Sequence, residues 1–148
     1  MRDLDFAKKR MEDEALTLCI ARGGKVIFEG VSRGISGFLD AVESLGDRLE
    51  GASVADRVVG KAVALLCVDS RVGAVYASTP SRDAKRLFDG CSVIVEWGEL
   101  VESILDAGRR ETCPFEGLAA GIADPKDAYG KLRALECSLR RGQGKRFG

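Results

Sequence analysis

The fold is decided near the amino terminus by the stretch LTLCIARGGKVIFE, residues 16–29. It consists of two apolar runs of strand length that flank the pair Gly23-Gly24. Because glycine accepts the positive φ angles of a tight turn, this pair can reverse the chain between two antiparallel strands. The stretch therefore predicts a β-hairpin that contributes two strands to a sheet.

A helix is predicted before the hairpin and another after it. Residues 3–14 place apolar side chains at helical spacing among charged ones, which is typical of an amphipathic helix. Ser36 can cap a second helix that extends to Leu45, with Phe38 and Val42 on its apolar face. Both helices are expected to pack on the sheet.

A long apolar stretch, residues 54–67, is predicted to form a central helix. It is apolar on all sides beyond its first turn except at Lys61, and such a helix is normally buried between other layers. Ser53 is its expected cap, and Asp56, three residues later, matches a capping box.

Two further strands are predicted to enclose a helix. Residues 73–78 and 92–97 have the pattern of short buried strands, and the pair Thr79-Pro80 can start a helix that ends near Phe88. A strand, a helix and a strand with short connections form a right-handed parallel unit. With the hairpin, this unit predicts a three-layer α-β-α fold of the α/β class with a mixed sheet.

The carboxyl-terminal part is predicted to complete one domain and to end in a tail. Residues 1–139 form the domain, and the basic segment 140–148 is predicted to be disordered. The expected elements of this part are a helix over residues 100–105, a polar loop over 108–112, a helix start at Cys113-Pro114 and a last helix from Asp124-Pro125 to about Arg140.

The composition argues against several classes of function. The 23 Lys and Arg residues balance 23 Asp and Glu residues, whereas a dedicated nucleic-acid-binding domain usually carries a basic excess. The absence of histidine excludes every catalytic triad or dyad with an imidazole base. The five cysteines include no C-x-x-C pair, and the sequence contains no signal-peptide or membrane-spanning pattern. These features predict a cytoplasmic protein with reduced thiols and no membrane partner.

Two segments at helix starts are candidate sites for an anionic ligand. Arg33 and Ser36 belong to a glycine-rich stretch ahead of a helix, where backbone N–H groups attract anions; the alternative is a flexible connection with a serine cap. Ser78 and Thr79 follow a strand at its carboxyl end, where open α/β sheets bind their ligands; the alternative is a Thr-Pro cap. Either segment suits a phosphate or a carboxylate.

Four further residues are candidates for catalysis. Asp56 and Lys61 lie too far apart around one helix to pair directly, so a shared cleft at the helix start would give each a partner. Capping explains the aspartate equally well, and a lysine that reaches water needs no partner. The dipole of a helix start favours the thiolate of Cys113, and Glu116, one turn on, could accept its proton, although both residues also suit a helix cap.

The chain also resembles a known family. The strings ADRVVGKA (residues 55–62), VYA (75–77) and CPFE (113–116) are similar, in this order, to those of a prokaryotic family of small proteins. That family is a domain of unknown function that is placed with the cytidine-deaminase-like fold. The resemblance covers about residues 12–139 and implies a mixed sheet flanked by helices, a scaffold on which a homodimer is plausible.

A comparison with deaminases that bind zinc indicates a metal-free site. They hold zinc with His or Cys near a catalytic Glu at one helix start, and with Pro-Cys-x-x-Cys at the next. The corresponding segments are expected to be residues 54–57 and 79–83, which contain neither histidine nor cysteine. The sequence therefore predicts no metal and no cofactor.

Three functional hypotheses are compatible with these residues. The leading one is a protein that binds a small molecule, a nucleotide or nucleotide-like compound, on a deaminase-like scaffold without zinc. The second is a metal-independent enzyme that uses Cys113 as nucleophile, or Asp56 with Lys61 as an acid–base pair. The third is an interaction module that docks a partner through its sheet or last helix, with the basic tail on acidic surfaces.

Overall fold

The computed structural model describes residues 2–32, 34–104 and 113–147, with side chains as far as Arg141. Arg33 and the loop predicted over residues 108–112 lie outside these ranges. The elements are α1 (Asp3–Asp13), β1 (Leu18–Arg22), β2 (Lys25–Gly30), α2 (Ser36–Leu45), β3 (Ser53–Val59), α3 (Lys61–Asp69), β4 (Ala74–Pro80), α4 (Arg82–Asp89), β5 (Ile94–Trp97), α5 (Pro114–Ala120) and α6 (Ala128–Phe147), with 3-10 turns at Gly46–Leu49 and Pro125–Asp127.

The five strands form one mixed sheet in the order β2-β1-β3-β4-β5. Strand β1 runs antiparallel to both of its neighbours, β2 and β3. Strands β3, β4 and β5 are parallel, and α3 and α4 connect them in turn. The predicted hairpin and the predicted parallel unit are therefore both confirmed.

The hairpin turn is held from outside by the first residue of α1. Gly23 and Gly24 have φ angles of 62° and 77°, the left-handed region that the sequence requires of them. Both of their N–H groups donate to the carboxylate of Asp3, each at 2.9 Å. This contact ties α1 to the hairpin in addition to the apolar packing beneath it.

Helices cover both faces of the sheet, so the predicted three layers are present. Along β1, Leu18 and Ile20 belong to the larger core under α2–α6, whereas Cys19 and Ala21 belong to a smaller core under α1. This alternation is the period of two that a strand imposes. The larger core is closed by residues of α2, α3, α4, α5 and α6, and the smaller one by Leu4, Ala7 and Met11 of α1.

The predicted central helix over residues 54–67 is wrong in its first half. Ser53–Val59 is strand β3, and helix α3 begins only at Lys61. A strand with neighbours on both sides and helices on both faces lacks a regular alternation of apolar and polar residues, so its sequence resembles that of a buried helix. Ser53 therefore caps no helix, and Asp56 belongs to a strand and not to a capping box.

The helix predicted to start at Thr79-Pro80 begins two residues later. Strand β4 continues through Pro80, and Ser81 caps α4 by accepting a hydrogen bond from the N–H of Ala84 at 3.2 Å. Residues 78–80 are thus the carboxyl end of a strand. Serine is a residue type that helix-capping rules favour, but the cap lies at position 81 and not at the predicted position 79.

The helix predicted over residues 100–105 is absent from its described part, residues 100–104. The chain instead runs on beside the end of β4. The N–H of Glu99 donates to the carbonyl of Ser78 at 2.8 Å, and the N–H of Val101 to that of Pro80 at 2.9 Å. Gly98 allows this approach, because a Cβ there would lie 2.7 Å from the Ser78 carbonyl oxygen.

Two predictions about helix ends also need correction. Ser36 is the first residue of α2 and makes no capping hydrogen bond; Ile35 occupies the capping position. Helix α6 continues to Phe147, past the predicted end near Arg140. The disorder of the tail over residues 140–148 stays a prediction.

Removing the Asp3 carboxylate should loosen the hairpin turn. We expect Asp3→Ala to lower the free energy of unfolding by about 1 kcal/mol, since two charge-assisted hydrogen bonds are lost. Urea denaturation measures the change. The matched control is Asp13→Ala on the same helix, whose exposed ion pair with Lys9 should contribute little. Equal effects of the two substitutions would contradict the role of Asp3.

Candidate functional site

The candidate site lies at one edge of the sheet, where four strands end. Leu18, near the start of β1, pairs with Gly30 at the end of β2 and with Asp56 in β3. Asp56 pairs in turn with Ala77 in β4, which pairs with Trp97 at the end of β5. The carboxyl ends of β2, β3, β4 and β5 therefore share this edge, which is where open α/β sheets bind ligands.

The start of α3 at this edge is capped by a side chain from another helix. Glu116 of α5 accepts hydrogen bonds from the N–H groups of Lys61, at 2.7 Å, and Ala62, at 3.0 Å. These are two of the N–H groups that a helix leaves without intrahelical partners. The carboxylate thus takes the role of a bound anion at a helix amino terminus.

Gly60 makes this capping contact sterically feasible. A Cβ at position 60 would overlap the carboxylate of Glu116. The backbone there has φ −91° and ψ −176°, an extended conformation open to any residue, so the requirement for glycine comes from space and not from backbone strain. The glycine and the glutamate therefore depend on each other across 56 positions of sequence.

The ionisation of Glu116 reflects two opposed effects. Burial raises the pKa of its carboxyl group, and the charge of Asp83 raises it further. The two backbone N–H groups and the Lys61 ammonium act in the opposite direction without cancelling the effect of burial. The cap is accordingly a carboxylate that the protein keeps at an electrostatic cost.

A cleft of about 450 Å³ lies beside this cap, between α3, α4 and α5. The Lys61 ammonium is 3.5 Å from the Ala120 carbonyl oxygen, and an Arg86 guanidinium nitrogen is 3.5 Å from an Asp83 carboxylate oxygen. Within the described ranges, no carboxylate forms an ion pair with Lys61. The lining residues are Lys61, Asp83, Arg86, Leu87 and Ala120.

Asp56 lies apart from this cleft, on the face of the sheet that α3 covers. Its partner Ala77 belongs to the larger core, and burial raises the pKa of Asp56 to about 8. Burial also raises the pKa of the Cys67 thiol on α3, and the charge of Asp56 adds to that shift. Asp56 thus belongs to a strand beneath α3, whereas Lys61 lines the cleft at a helix start.

The residues predicted to bind an anion lie at separate places along the carboxyl edge of the sheet. Ser78 and Thr79 alternate along β4, so they face opposite sides of the sheet: Thr79 lies on the side of α3 and Ser78 on the side of α1. Ser36 starts α2 beyond the end of β2, and Arg33 lies outside the described residues. None of Ser36, Ser78 and Thr79 lines the cleft.

Cys113 occupies the position before the first residue of α5, and its carbonyl accepts the N–H of Gly117 at 3.0 Å. Both oxygens of Glu116, one turn on, are engaged with α3. The proposed transfer of a proton from the Cys113 thiol to Glu116 would therefore compete with the cap. Nucleophilic catalysis by Cys113 stays a prediction.

Sequence reasoning missed Gly60, Asp83 and Arg86. The error in the ends of β3 and β4 hid them, because it placed position 60 inside a helix and the start of α4 at Thr79. The available signal was the glycine that follows a β-branched run, Val58-Val59-Gly60, which is typical of a strand that ends.

Two other features are absent from the described part of the chain. No group of three or more His, Cys, Asp or Glu side chains in its ranges is arranged to hold a metal ion. Among the helices described, none combines the length and the apolar character that crossing a membrane requires.

Gly60 and Glu116 should behave as one energetic unit. We expect Gly60→Ala alone and Glu116→Ala alone each to lower the free energy of unfolding by about 1–2 kcal/mol, the first by expelling the carboxylate and the second by removing the cap. In the Glu116→Ala background, Gly60→Ala should be neutral or stabilising by up to about 1 kcal/mol, since alanine fits the extended backbone. Urea denaturation of the four proteins measures the coupling, and additive effects would contradict the contact.

Asp56 should make the protein less stable as the pH rises. Its folded pKa, about 8, lies above the unfolded value near 4, so the native state keeps a proton that the unfolded state releases. The free energy of unfolding should therefore fall between about pH 4 and pH 8. We expect Asp56→Asn to reduce this slope and to raise stability at pH 8 by at least about 1 kcal/mol. Urea midpoints at pH 5 and pH 8 test this, and an unchanged slope would be the contrary result.

Comparison with known proteins gives a family. The sequence profile of a family described as TM1506, domain of unknown function (DUF1893), matches residues 6–135. The crystal structure of a DUF1893 family protein, TM1506 from Thermotoga maritima, is similar with a TM-score of 0.82 and 26% sequence identity over 90% of each chain. No curated protein matches the sequence. With most of its length covered by the profile, this chain belongs to the DUF1893 family.

Proposed function

We propose that the protein binds a small anionic molecule, a nucleotide or nucleotide-like compound, in the cleft between α3, α4 and α5. The observation that carries the proposal is the placement of two cationic side chains, Lys61 and Arg86, in a cleft at the carboxyl ends of β3 and β4. This is the edge at which α/β sheets generally bind nucleotides and other small ligands.

The size and chemistry of the cleft support a ligand with a phosphate or carboxylate group. Its volume of about 450 Å³ lies within the usual range of small-molecule sites. The Lys61 ammonium offers a point charge, and the planar Arg86 guanidinium can form two parallel hydrogen bonds to one anionic group. Leu87 and Ala120 supply apolar surface for the rest of the ligand.

We further infer a cytidine-deaminase-like scaffold in which the chemistry of the zinc enzymes is replaced. The mixed five-stranded sheet with helices on both faces supports this inference. The helix starts that follow β3 and β4 read Gly60-Lys61-Ala62 and Ser81-Arg82-Asp83, and neither supplies the His or Cys ligands of a zinc deaminase. The carboxylate of Glu116 fills the space beside the first of them.

A thermal-shift titration with AMP, ADP-ribose, cytidine and inorganic phosphate tests the proposal. A ligand that binds the native state raises the melting temperature, and the shift grows with the logarithm of the ligand concentration above the dissociation constant. We expect AMP or ADP-ribose to stabilise the protein at millimolar concentration, and cytidine, which lacks a phosphate, to be weaker. No stabilisation by either phosphorylated compound would refute the proposal.

Substitution of the two cations locates the site. We expect Lys61→Met and Arg86→Met each to weaken binding about tenfold, since a hydrogen bond between charged groups contributes about 1.5 kcal/mol or more. Arg48→Met, at an exposed arginine in the 3-10 turn after α2, is the matched control and should leave the dissociation constant unchanged. Isothermal titration calorimetry measures all three, and equal loss in the control would place binding elsewhere.

A further inference from the structure

Helix α5, which forms one wall of the cleft, depends on tertiary contacts for its stability. It has seven residues, a length at which a helix in water is marginal without tertiary contacts. Gly117 lies within it and Gly121 follows its last residue, and glycine inside a helix costs about 1 kcal/mol relative to alanine. Phe115, Glu116 and Leu118 are half-buried, and Ala119 is the one fully buried residue of the helix.

The polar contacts of α5 are concentrated at one point of α3. Glu116 accepts the N–H groups of Lys61 and Ala62, and the Ala120 carbonyl accepts the Lys61 ammonium. All three contacts involve the first two residues of α3, where the cleft begins. If α5 moved away, they would break together and the wall formed by Ala120 would open.

We propose that α5 is a latch on the cleft, closed by the carboxylate of Glu116 in the space that Gly60 leaves at the start of α3. The latch governs access to the ligand site of the proposed function and rests on that function for its role. The closed form is the one in the structure. In the open form the Lys61 ammonium is released from the Ala120 carbonyl, and α5 no longer forms a wall of the cleft.

The latch requires an opening that is cheaper than unfolding of the sheet. Local openings of this kind are drawn from short elements with few buried contacts, whereas core strands exchange their amide hydrogens only on global unfolding. A ligand held between Lys61 and Arg86 gains contacts from α3 and α4 together with the α5 wall. It should therefore stabilise the closed form.

Native-state hydrogen exchange on the full chain, followed by NMR, tests the latch. The amides of Lys61 and Ala62 should exchange through the same opening as those of Gly117 and Gly121, and faster than the amides of β3 and β4. We expect Glu116→Ala to accelerate all four amides by at least about tenfold, which corresponds to the loss of a helix cap, and to leave the strand amides less affected.

Two further variants separate the latch from a general loss of stability. Gly60→Ala keeps the Glu116 charge but excludes its carboxylate from the cap, so it should accelerate the same four amides. Glu12→Ala, at an exposed glutamate of α1, is the matched control and should accelerate none. The proposal is overturned if the Lys61 and Ala62 amides exchange only with the core strands. It is also overturned if Glu116→Ala leaves the α5 amides unchanged.

Addition of AMP distinguishes failure of the latch from failure of the proposed function. Slower exchange of the four amides with bound AMP supports a latch that closes on its ligand. AMP that binds without slowing them refutes the gating role. AMP that does not bind refutes the proposed function, and in that case the exchange pattern of the variants still decides whether α5 opens as a unit.

Discussion

The carboxylate of Glu116, bound to the first two N–H groups of α3, is the contact on which the carboxyl edge of this protein depends. It joins α5 to a helix that begins 55 residues earlier in the chain. It requires a glycine at position 60, because any larger residue would occupy the same space. It also holds α5 where Ala120 can form one wall of the cleft and accept the Lys61 ammonium.

This contact occupies the N–H groups at a helix start that follows a parallel strand. In many α/β proteins the free N–H groups at that position bind a phosphate of the ligand. In this chain a carboxylate of the protein itself takes those N–H groups, so positive charge for a ligand has to come from side chains nearby. Lys61 and Arg86 provide it on the open side of the cap. Asp83, which belongs to the same cleft, limits the net positive charge and raises the pKa of Glu116.

The local patterns of the sequence predicted most of the architecture. The Gly23-Gly24 hairpin, the amphipathic α1, and the two strands predicted over residues 73–78 and 92–97 follow from turn chemistry and apolar periodicity, which act over a few residues. Strand β3 did not follow, because a strand buried on both faces has no alternation to distinguish it from a buried helix. The path of residues 98–101 beside β4 depends on a partner strand far along the chain, which local rules cannot supply.

The candidate site was predicted only in part, for the same reason. Lys61 and Glu116 were singled out separately, one as a costly lysine in an apolar stretch and the other as a helix-start acid. Their meeting across 55 positions was not predicted. Gly60 was overlooked because its requirement is the space taken by a distant carboxylate and not a turn with positive φ. Asp56 has the raised pKa expected of a functional group, but its strand places it under α3 and not among the residues that line the cleft.

The most direct test of the Glu116 contact is a pH titration of the backbone amides by NMR. If the carboxylate caps α3, the amide signals of Lys61 and Ala62 move together as one group ionises, with an apparent pKa above the usual range of glutamate. The same two signals should lose this titration in Glu116→Ala. Amides that do not respond to pH, or that titrate unchanged in the variant, would contradict the account.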